Sequence, residues 1–183
     1  MSVRPTGRSE VRPVVPPVGG RKAVPDPRPR LARCSLVVDH DSRTATWRGD
    51  DRTPSTVELA LGEGPGQLQR LVRVLYPPLM PGGEDTVEAG RLLLVDSTGR
   101  TLVRSGALTG VLFDQAWPYD LLTGCGLPVS EQRFRSTRHL QAAHPGAAPA
   151  WPLTAGFGWF VLTVALALLV LAGLAAGVVA LAS

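Results

Sequence analysis

Apolar positions are spread unevenly along the chain, and the longest uninterrupted apolar run occupies residues 157–182. These 26 residues carry no charged side chain, and Thr163 is the one polar residue among them. A helix that crosses a bilayer needs about 20 predominantly apolar residues, whereas the core helix of a soluble protein is seldom so long and so uniformly apolar. The pattern therefore predicts one transmembrane helix at the C-terminal end of the sequence.

Two other segments share one pattern of apolar and polar positions. The segments "LVVDHDSRTATW" (36–47) and "LLVDSTGRTLVR" (93–104) each contain three apolar residues, an aspartate, three further residues and Arg-Thr. Each segment predicts a β-hairpin. Asp39 and Asp96 begin the two turns, where a carboxylate accepts hydrogen bonds from backbone N–H groups. Gly99 supplies the positive φ that a tight turn can require.

The segments between and after the hairpins predict one strand and three helices. In "STVELAL" (55–61) apolar and polar residues alternate, which predicts a half-buried strand. In "QLQRLVRVLY" (67–76) apolar residues recur at the spacing of one helix face, which predicts a helix that ends before Pro77. Short helices are also expected from Pro118 to Gly124 and in "STRHLQAA" (136–143), with Ser136 or Thr137 as the cap.

These elements predict an α+β fold: a small antiparallel β-hairpin sheet with two or three short helices, plus one C-terminal transmembrane helix. Residues 1–30 contain seven prolines and seven basic residues without an apolar period, so a disordered Pro/Arg-rich tail is expected there. The folded domain is expected over 31–144. A short Pro/Ala linker over 145–156 then leads to the span over 157–182.

Charge is segregated along the sequence. The formal net charge is +4, yet residues 31–132 hold nine basic and thirteen acidic side chains. An acidic domain without a basic and aromatic stripe does not favour nucleic acid, and no nucleic-acid partner is expected. Arginine greatly outnumbers lysine, since Lys22 is the sole lysine, and this composition is typical of a high-GC bacterial genome.

The residues that flank the span predict its orientation. Arg133, Arg135 and Arg138 precede it, and no charged side chain follows it. The positive-inside rule then places the domain in the cytoplasm and Ser183 outside the bacterial inner membrane, as in a single-pass, tail-anchored protein. The same arginines are candidates for contact with anionic lipid.

Two pairs of residues in and near the span have expected roles in the membrane. Trp151 and Trp159 are expected at the near membrane interface, where amphipathic rings settle. Gly173 and Gly177 form a G-x-x-x-G pair, a pattern that lets two helices approach closely. The pair predicts that the chain forms a homodimer through the span.

Candidate catalytic and metal sites are weak in this sequence. Asp39 and Asp41 form a D-x-D pattern around His40, which turn formation explains. "DSTG" at 96–99 differs from the D-[ST]-G pattern of aspartic proteases by an extra residue before the glycine, and the matching Asp39 lies in a turn without a glycine. Cys34 and Cys125 are too few for a disulfide framework and are expected to be reduced, buried thiols. No C-x-x-C or H-x-x-x-H pattern supports zinc, and neither a metal nor a cofactor is expected.

One resemblance covers the chain from about Leu92 to Gly146. The run "LLLVDSTGRTLVR", a helix that begins at Trp-Pro, "GLPV", and "STRHLQAAHPGA" before a span resemble small single-span membrane proteins of unassigned function from actinobacteria. Some of those proteins carry a pleckstrin-homology-like β domain, so the resemblance implies a β domain beside one span and implies no functional residue. The helix predicted over 67–76 would interrupt such a β-run.

The expected function is that of a non-enzymatic adaptor or accessory subunit, whose domain binds another protein at the inner leaflet. Two alternatives stay open. One is a membrane-proximal enzyme that uses Asp39, His40, Asp41 and Asp96, which requires those carboxylates to converge with His40 in one pocket. The other is a small subunit of a transport or secretion complex.

Overall fold

The computed structural model describes residues 6–15, 28–49, 56–77 and 88–147. All of them belong to residues 1–148, the first of two compact units into which the chain divides. The predicted linker and span lie outside the described residues, as do Trp151, Trp159, Gly173 and Gly177. Within the described ranges, no helix is long and apolar enough to cross a membrane.

The described part of the chain contains nine strands and four helices. The strands are β1 (Arg8–Val11), β2 (Ser35–Asp39), β3 (Thr44–Arg48), β4 (Thr56–Ala60), β5 (Arg70–Tyr76), β6 (Ala89–Val95), β7 (Thr101–Arg104), β8 (Leu108–Thr109) and β9 (Val129–Arg133). The helices are α1 (Arg28–Leu31), α2 (Gly110–Ala116), α3 (Tyr119–Thr123) and α4 (Thr137–Ala143). The α+β prediction is therefore confirmed, as are the strand at 56–60 and the two later helices.

The strands form two sheets, where the sequence predicted one. The first sheet has the order β1-β2-β3-β4 with antiparallel pairs throughout, and it contains the first predicted hairpin. The second has the order β7-β6-β5-β9, with β8 also paired to β6, and it contains the second hairpin. Strands β5 and β9 are parallel, with Leu71 opposite Val129, so the all-antiparallel prediction is wrong for this pair.

The helix predicted over 67–76 is wrong, because most of this segment is the central strand β5. Both faces of β5 are covered, so apolar side chains occur at consecutive positions and not only at alternate ones. Some of them therefore fall at the spacing expected of one helix face. Leu71 and Leu75 pack into the core between the sheets. Val72 and Val74 pack into a second core on the opposite face. Residues 71–76 are all buried, which no solvent-facing helix would show.

Strand β1 lies inside the stretch predicted to be a disordered tail. It pairs with β2 in antiparallel register, with Val11 opposite Leu36. Val11 is 3% exposed in the core, and Pro13 is also buried. Averaged over thirty residues the composition is that of a tail, yet a four-residue strand can form there because the sheet edge supplies its backbone partners. For residues 8–11, and for residues 28–30 at the start of α1, the tail prediction is therefore corrected.

Two apolar cores hold the layers together. The first lies between the two sheets and includes α2 and α3, and within it Trp47 of β3 stacks on Trp117, with ring centroids 5.9 Å apart. The second lies under α4, where Leu140 and Ala147 cover Val72 and Leu93. At the start of α4 the side chain of Ser136 accepts a hydrogen bond from the backbone N–H of His139, as a helix cap should.

Candidate functional site

An open groove of about 590 Å³ lies where the two sheets meet. Three loops form it: the β2–β3 turn, the β4–β5 loop and the loop between α3 and β9. Within its described lining Leu68 is buried, whereas Arg43 and Glu63 are exposed at the edge that we call the rim. The lining residues are His40, Arg43, Leu61, Gly62, Glu63, Leu68, Gln69, Gly126, Leu127 and Pro128. A concave surface of mixed polarity is the usual form of a binding site.

Backbone hydrogen bonds fix the base of the groove. Leu61 and Leu68 form a parallel bridge that links the end of β4 to the start of β5. The N–H of Leu68 donates to the carbonyl of Ala60 at 2.8 Å, and the N–H of Gly62 donates to the carbonyl of Leu68 at 3.1 Å. The groove is therefore part of the ordered framework that joins the sheets.

Arg43 stands on the rim in an unusual backbone conformation. Its φ is +54°, the one positive φ among the described residues other than glycine. For an L-residue this left-handed conformation costs about 1–2 kcal/mol. The side chain reaches across to the β4–β5 loop, where Nη2 donates to the carbonyl of Leu61 at 3.3 Å. A guanidinium is thus held at the rim by a turn that a glycine or asparagine would form more easily.

His40, on the same turn as Arg43, is fixed by the loop that follows α3. Its Nε2 lies 2.9 Å from the carbonyl oxygen of Cys125. Because a carbonyl only accepts hydrogen bonds, Nε2 carries the proton and donates. This bond ties the β2–β3 turn to the loop that begins after α3, so His40 helps to shape the groove.

The aspartates of the first hairpin serve the turn, as the sequence predicts. Asp39 Oδ1 accepts from the N–H groups of Asp41 and Ser42, each at 3.0 Å. The backbone N–H of Ser42 is the main cause that lowers the pKa of the Asp39 carboxyl below its ordinary value. Asp41 Oδ1 accepts from the N–H of Gly7 at 3.1 Å, which links the turn to the residues before β1.

Asp96 is a buried structural carboxylate with 1% exposure. Its Oδ1 accepts from the Thr98 N–H and hydroxyl and from the Arg100 N–H, at 2.9, 2.7 and 3.0 Å. Its Oδ2 accepts from the Gly66 N–H at 2.9 Å. These donors, Gly66 first, lower the pKa of Asp96 to about 2. Asp96 therefore joins the β6–β7 turn to the β4–β5 loop.

The structure does not bring the four candidate catalytic residues together. His40 lines the groove, but Asp39, Asp41 and Asp96 are absent from its described lining. Asp39 and Asp96 belong to different sheets, and their oxygens already accept hydrogen bonds from their own turns. The convergence that the enzyme hypothesis requires is not found among the described residues.

His144 and the two cysteines have structural environments. His144 is 3% exposed, and its ring lies 3.0 Å from the carbonyl oxygen of Gly99 and 2.9 Å from Oε1 of Gln132. Cys34 and Cys125 are buried and form no disulfide, and burial raises the pKa of the Cys125 thiol. Across the described ranges, no three metal-binding side chains are grouped.

The three arginines predicted to contact lipid do not share one surface. Side chains alternate along β9, so Arg133 shares its face with Glu131, which bonds Arg73 under α2, whereas Gln132 faces the His144 side. Arg133 lies 3.6 Å from Glu88 as an exposed ion pair. Arg135 and Arg138 are exposed in the connection to α4 and on α4 itself.

The sequence patterns predicted the loops that line the groove, but not which side chains meet there. The glycines at 62, 64 and 66 mark a loop, and the Arg-Thr of the repeated pattern marks a turn. No periodicity relates Arg43 to Leu61 or to Leu127, since these residues lie on three separate loops. Their proximity depends on sheet pairing, which a single sequence does not encode locally.

No protein-family model matches this chain, and neither the curated proteins nor the solved structures include a significant match.

Proposed function

We propose that the chain is a membrane-anchored adaptor or accessory subunit, and that its groove holds a segment of a partner protein. The groove itself carries this proposal. Its leucines offer a surface for an apolar side chain, and Arg43 offers a charge for an acidic neighbour. An open groove of this kind fits an extended peptide better than a small molecule, which is normally enclosed on most sides.

The anchor and its sidedness support the same proposal from the sequence. The apolar stretch 157–182 would hold the domain at the inner leaflet, with the flanking arginines on the cytoplasmic side. The G-x-x-x-G pair Gly173 and Gly177 would allow two copies to associate through the span. A domain held at the membrane gains effective concentration for a membrane-resident partner.

Arg43→Gly provides a test that separates binding from folding. Glycine adopts the left-handed conformation without strain, so the variant should be as stable as the parent or about 1 kcal/mol more stable. It also removes the guanidinium from the rim. A photoreactive residue at Glu63, on the exposed rim, should crosslink one discrete partner in cell membranes, and Arg43→Gly should weaken that adduct severalfold.

The matched control places the photoreactive residue at Thr46, which alternates with buried neighbours and faces away from the core of the first sheet. No discrete adduct is expected there. Equal adducts from both positions, or a Glu63 adduct that Arg43→Gly leaves unchanged in a folded protein, would contradict a docking role for the groove.

A further inference from the structure

The face of the second sheet that α4 covers is basic and contains no carboxylate among its described strand and helix residues. The side chains of β5, β6 and β7 that share this face with Val72, Leu93 and Val95 include three arginines. A fourth arginine lies on the exposed side of α4. We call these residues the basic face: Arg70, Arg91, Arg104 and Arg138.

The pairing register assigns each strand arginine to this face. Arg70 is opposite Val95, Arg91 is opposite Val74, and Arg104 is opposite Leu93. Each partner belongs to the core under α4. Arg91 bonds the hydroxyl of Tyr76 at 2.7 Å and the carbonyl of Ser105 at 3.4 Å, and both of these partners are neutral.

Among the described residues, three acidic side chains lie on the other side of this sheet. Glu131 and Asp114 flank Arg73 under α2, and Asp114 is 2.5 Å from the guanidinium. Asp120 is exposed in the first turn of α3. Among the described residues, the acidic side pairs its arginines with carboxylates, whereas the basic face does not, so the basic face is the side that would attract an anionic surface.

The chain also leaves the described domain on the basic side. The N–H of Thr101 donates to the carbonyl of Pro145 at 3.0 Å, and Nη1 of Arg104 donates to the carbonyl of Gly146 at 2.7 Å. Ala147 is buried in the core under α4. Nine residues, 148–156, then precede the predicted span, and even fully extended they reach about 30 Å.

We propose that the basic face docks on the anionic headgroups of the bilayer that holds the chain. This inference rests on the proposed membrane anchor and replaces the set predicted from sequence. Arg133 and Arg135 are not part of the basic face, while Arg70, Arg91 and Arg104 join Arg138. Arginines near a negatively charged leaflet add binding energy that salt screens. Docking would leave the groove loops, on another part of the domain, accessible to a partner.

The test uses the full chain in lipid nanodiscs, either neutral or containing one third anionic phosphatidylglycerol. A fluorophore is attached at Ala142→Cys on α4 or, as the control position, at Val111→Cys on α2, which is 67% exposed. The native cysteines are buried. Lipids with a spin-labelled headgroup should quench the Ala142 label in anionic discs at low salt, and not the Val111 label.

Variants test whether the basic face causes the quenching. Arg104→Gln with Arg138→Gln should lower the ratio of docked to undocked domain about thirtyfold at low salt. Arg104→Lys with Arg138→Lys keeps the charge and should restore docking, which separates charge from the contact of Arg104 with Gly146. The matched control, Arg48→Gln with Arg133→Gln, removes the same charge elsewhere and should have no effect.

Three outcomes would overturn the proposal. Failure of the full chain to incorporate into nanodiscs would overturn both the anchor and the docking. Incorporation with quenching that does not depend on lipid charge would overturn the docking alone and leave the adaptor proposal intact. An equal loss of quenching in the two glutamine pairs would show that net charge, and not the basic face, is responsible.

Discussion

The β2–β3 and β6–β7 hairpins begin from one sequence pattern and differ in what surrounds their turns. Among the described residues, Asp39 accepts hydrogen bonds from Asp41 and Ser42 of its own exposed turn, and Arg43 carries the positive φ. Asp96 is buried and also reaches the β4–β5 loop, and Gly99 carries the positive φ at +87°. The shared pattern specifies the local turn, while tertiary neighbours decide whether the aspartate is a surface cap or a buried anchor.

Replacing the buried anchor should give the largest difference between the hairpins. Asp96→Asn puts an NH₂ group among N–H donors and removes the charge that they stabilise, so the free energy of unfolding should fall by about 3 kcal/mol. Asp39→Asn should cost clearly less, because water can replace its lost partners. Urea unfolding of the full chain in mild detergent, followed by near-UV circular dichroism, measures both. Equal losses of unfolding free energy in the two variants would contradict the difference between the buried and the exposed aspartate.

Acid should lower the stability of the fold through Asp96 of the second hairpin. The pKa of Asp96 in the folded protein is about 2, below its ordinary value of 3.8. Its ionised form therefore stabilises the fold fully above pH 3.8, and this contribution is lost as the pH falls toward 2. The unfolding midpoint of the parent should drop across this window, and that of Asp96→Asn should drop less. An equal drop of the midpoint in the parent and in Asp96→Asn would show that Asp96 is not the cause of the acid sensitivity.

The positive-φ positions should respond with opposite signs. Gly99→Ala forces an L-residue into the left-handed region and should destabilise the protein by about 1–2 kcal/mol. Its Cβ would meet the carbonyl oxygen of Ala143 at 3.5 Å, an ordinary contact, so crowding adds little. Arg43→Gly relieves the same strain and should be neutral or stabilising. Thermal unfolding of the two variants checks the signs, and destabilisation by Arg43→Gly would show that its side chain holds the turn.

Local patterns predicted the elements whose cause is local. Both hairpins, the strand at 56–60 and the helix capped by Ser136 follow from alternation, turn residues and capping. Strand β5 was mistaken for a helix because burial on both faces removes the alternation that identifies a strand. Its parallel partner β9 lies more than fifty residues further along the chain, so no local signal could have paired them.

The same reasoning explains what was missed in the candidate site. The turn roles of Asp39 and Asp96 were predicted, because a carboxylate two to four residues from its donors is a local feature. The groove joins three loops, and the basic face joins alternate residues of three strands with one helix. Both depend on register and pairing. Charge counted along the sequence grouped Arg133 with Arg138. In the structure the pleat of β9 places Arg133 on the face of the sheet opposite to α4, which carries Arg138.

The charge of Arg73 also bears on how β5 behaves before the fold is complete. Arg73 interrupts the apolar strand "RLVRVLY", and in the native state it pairs with Asp114 and Glu131 while its guanidinium lies 5.1 Å from the centre of the Phe113 ring. Until β9 arrives, β5 presents an open edge that another nascent chain could extend. A charge within that edge would make such pairing costly, so we expect Arg73 to limit aggregation until its own acidic partners are in position.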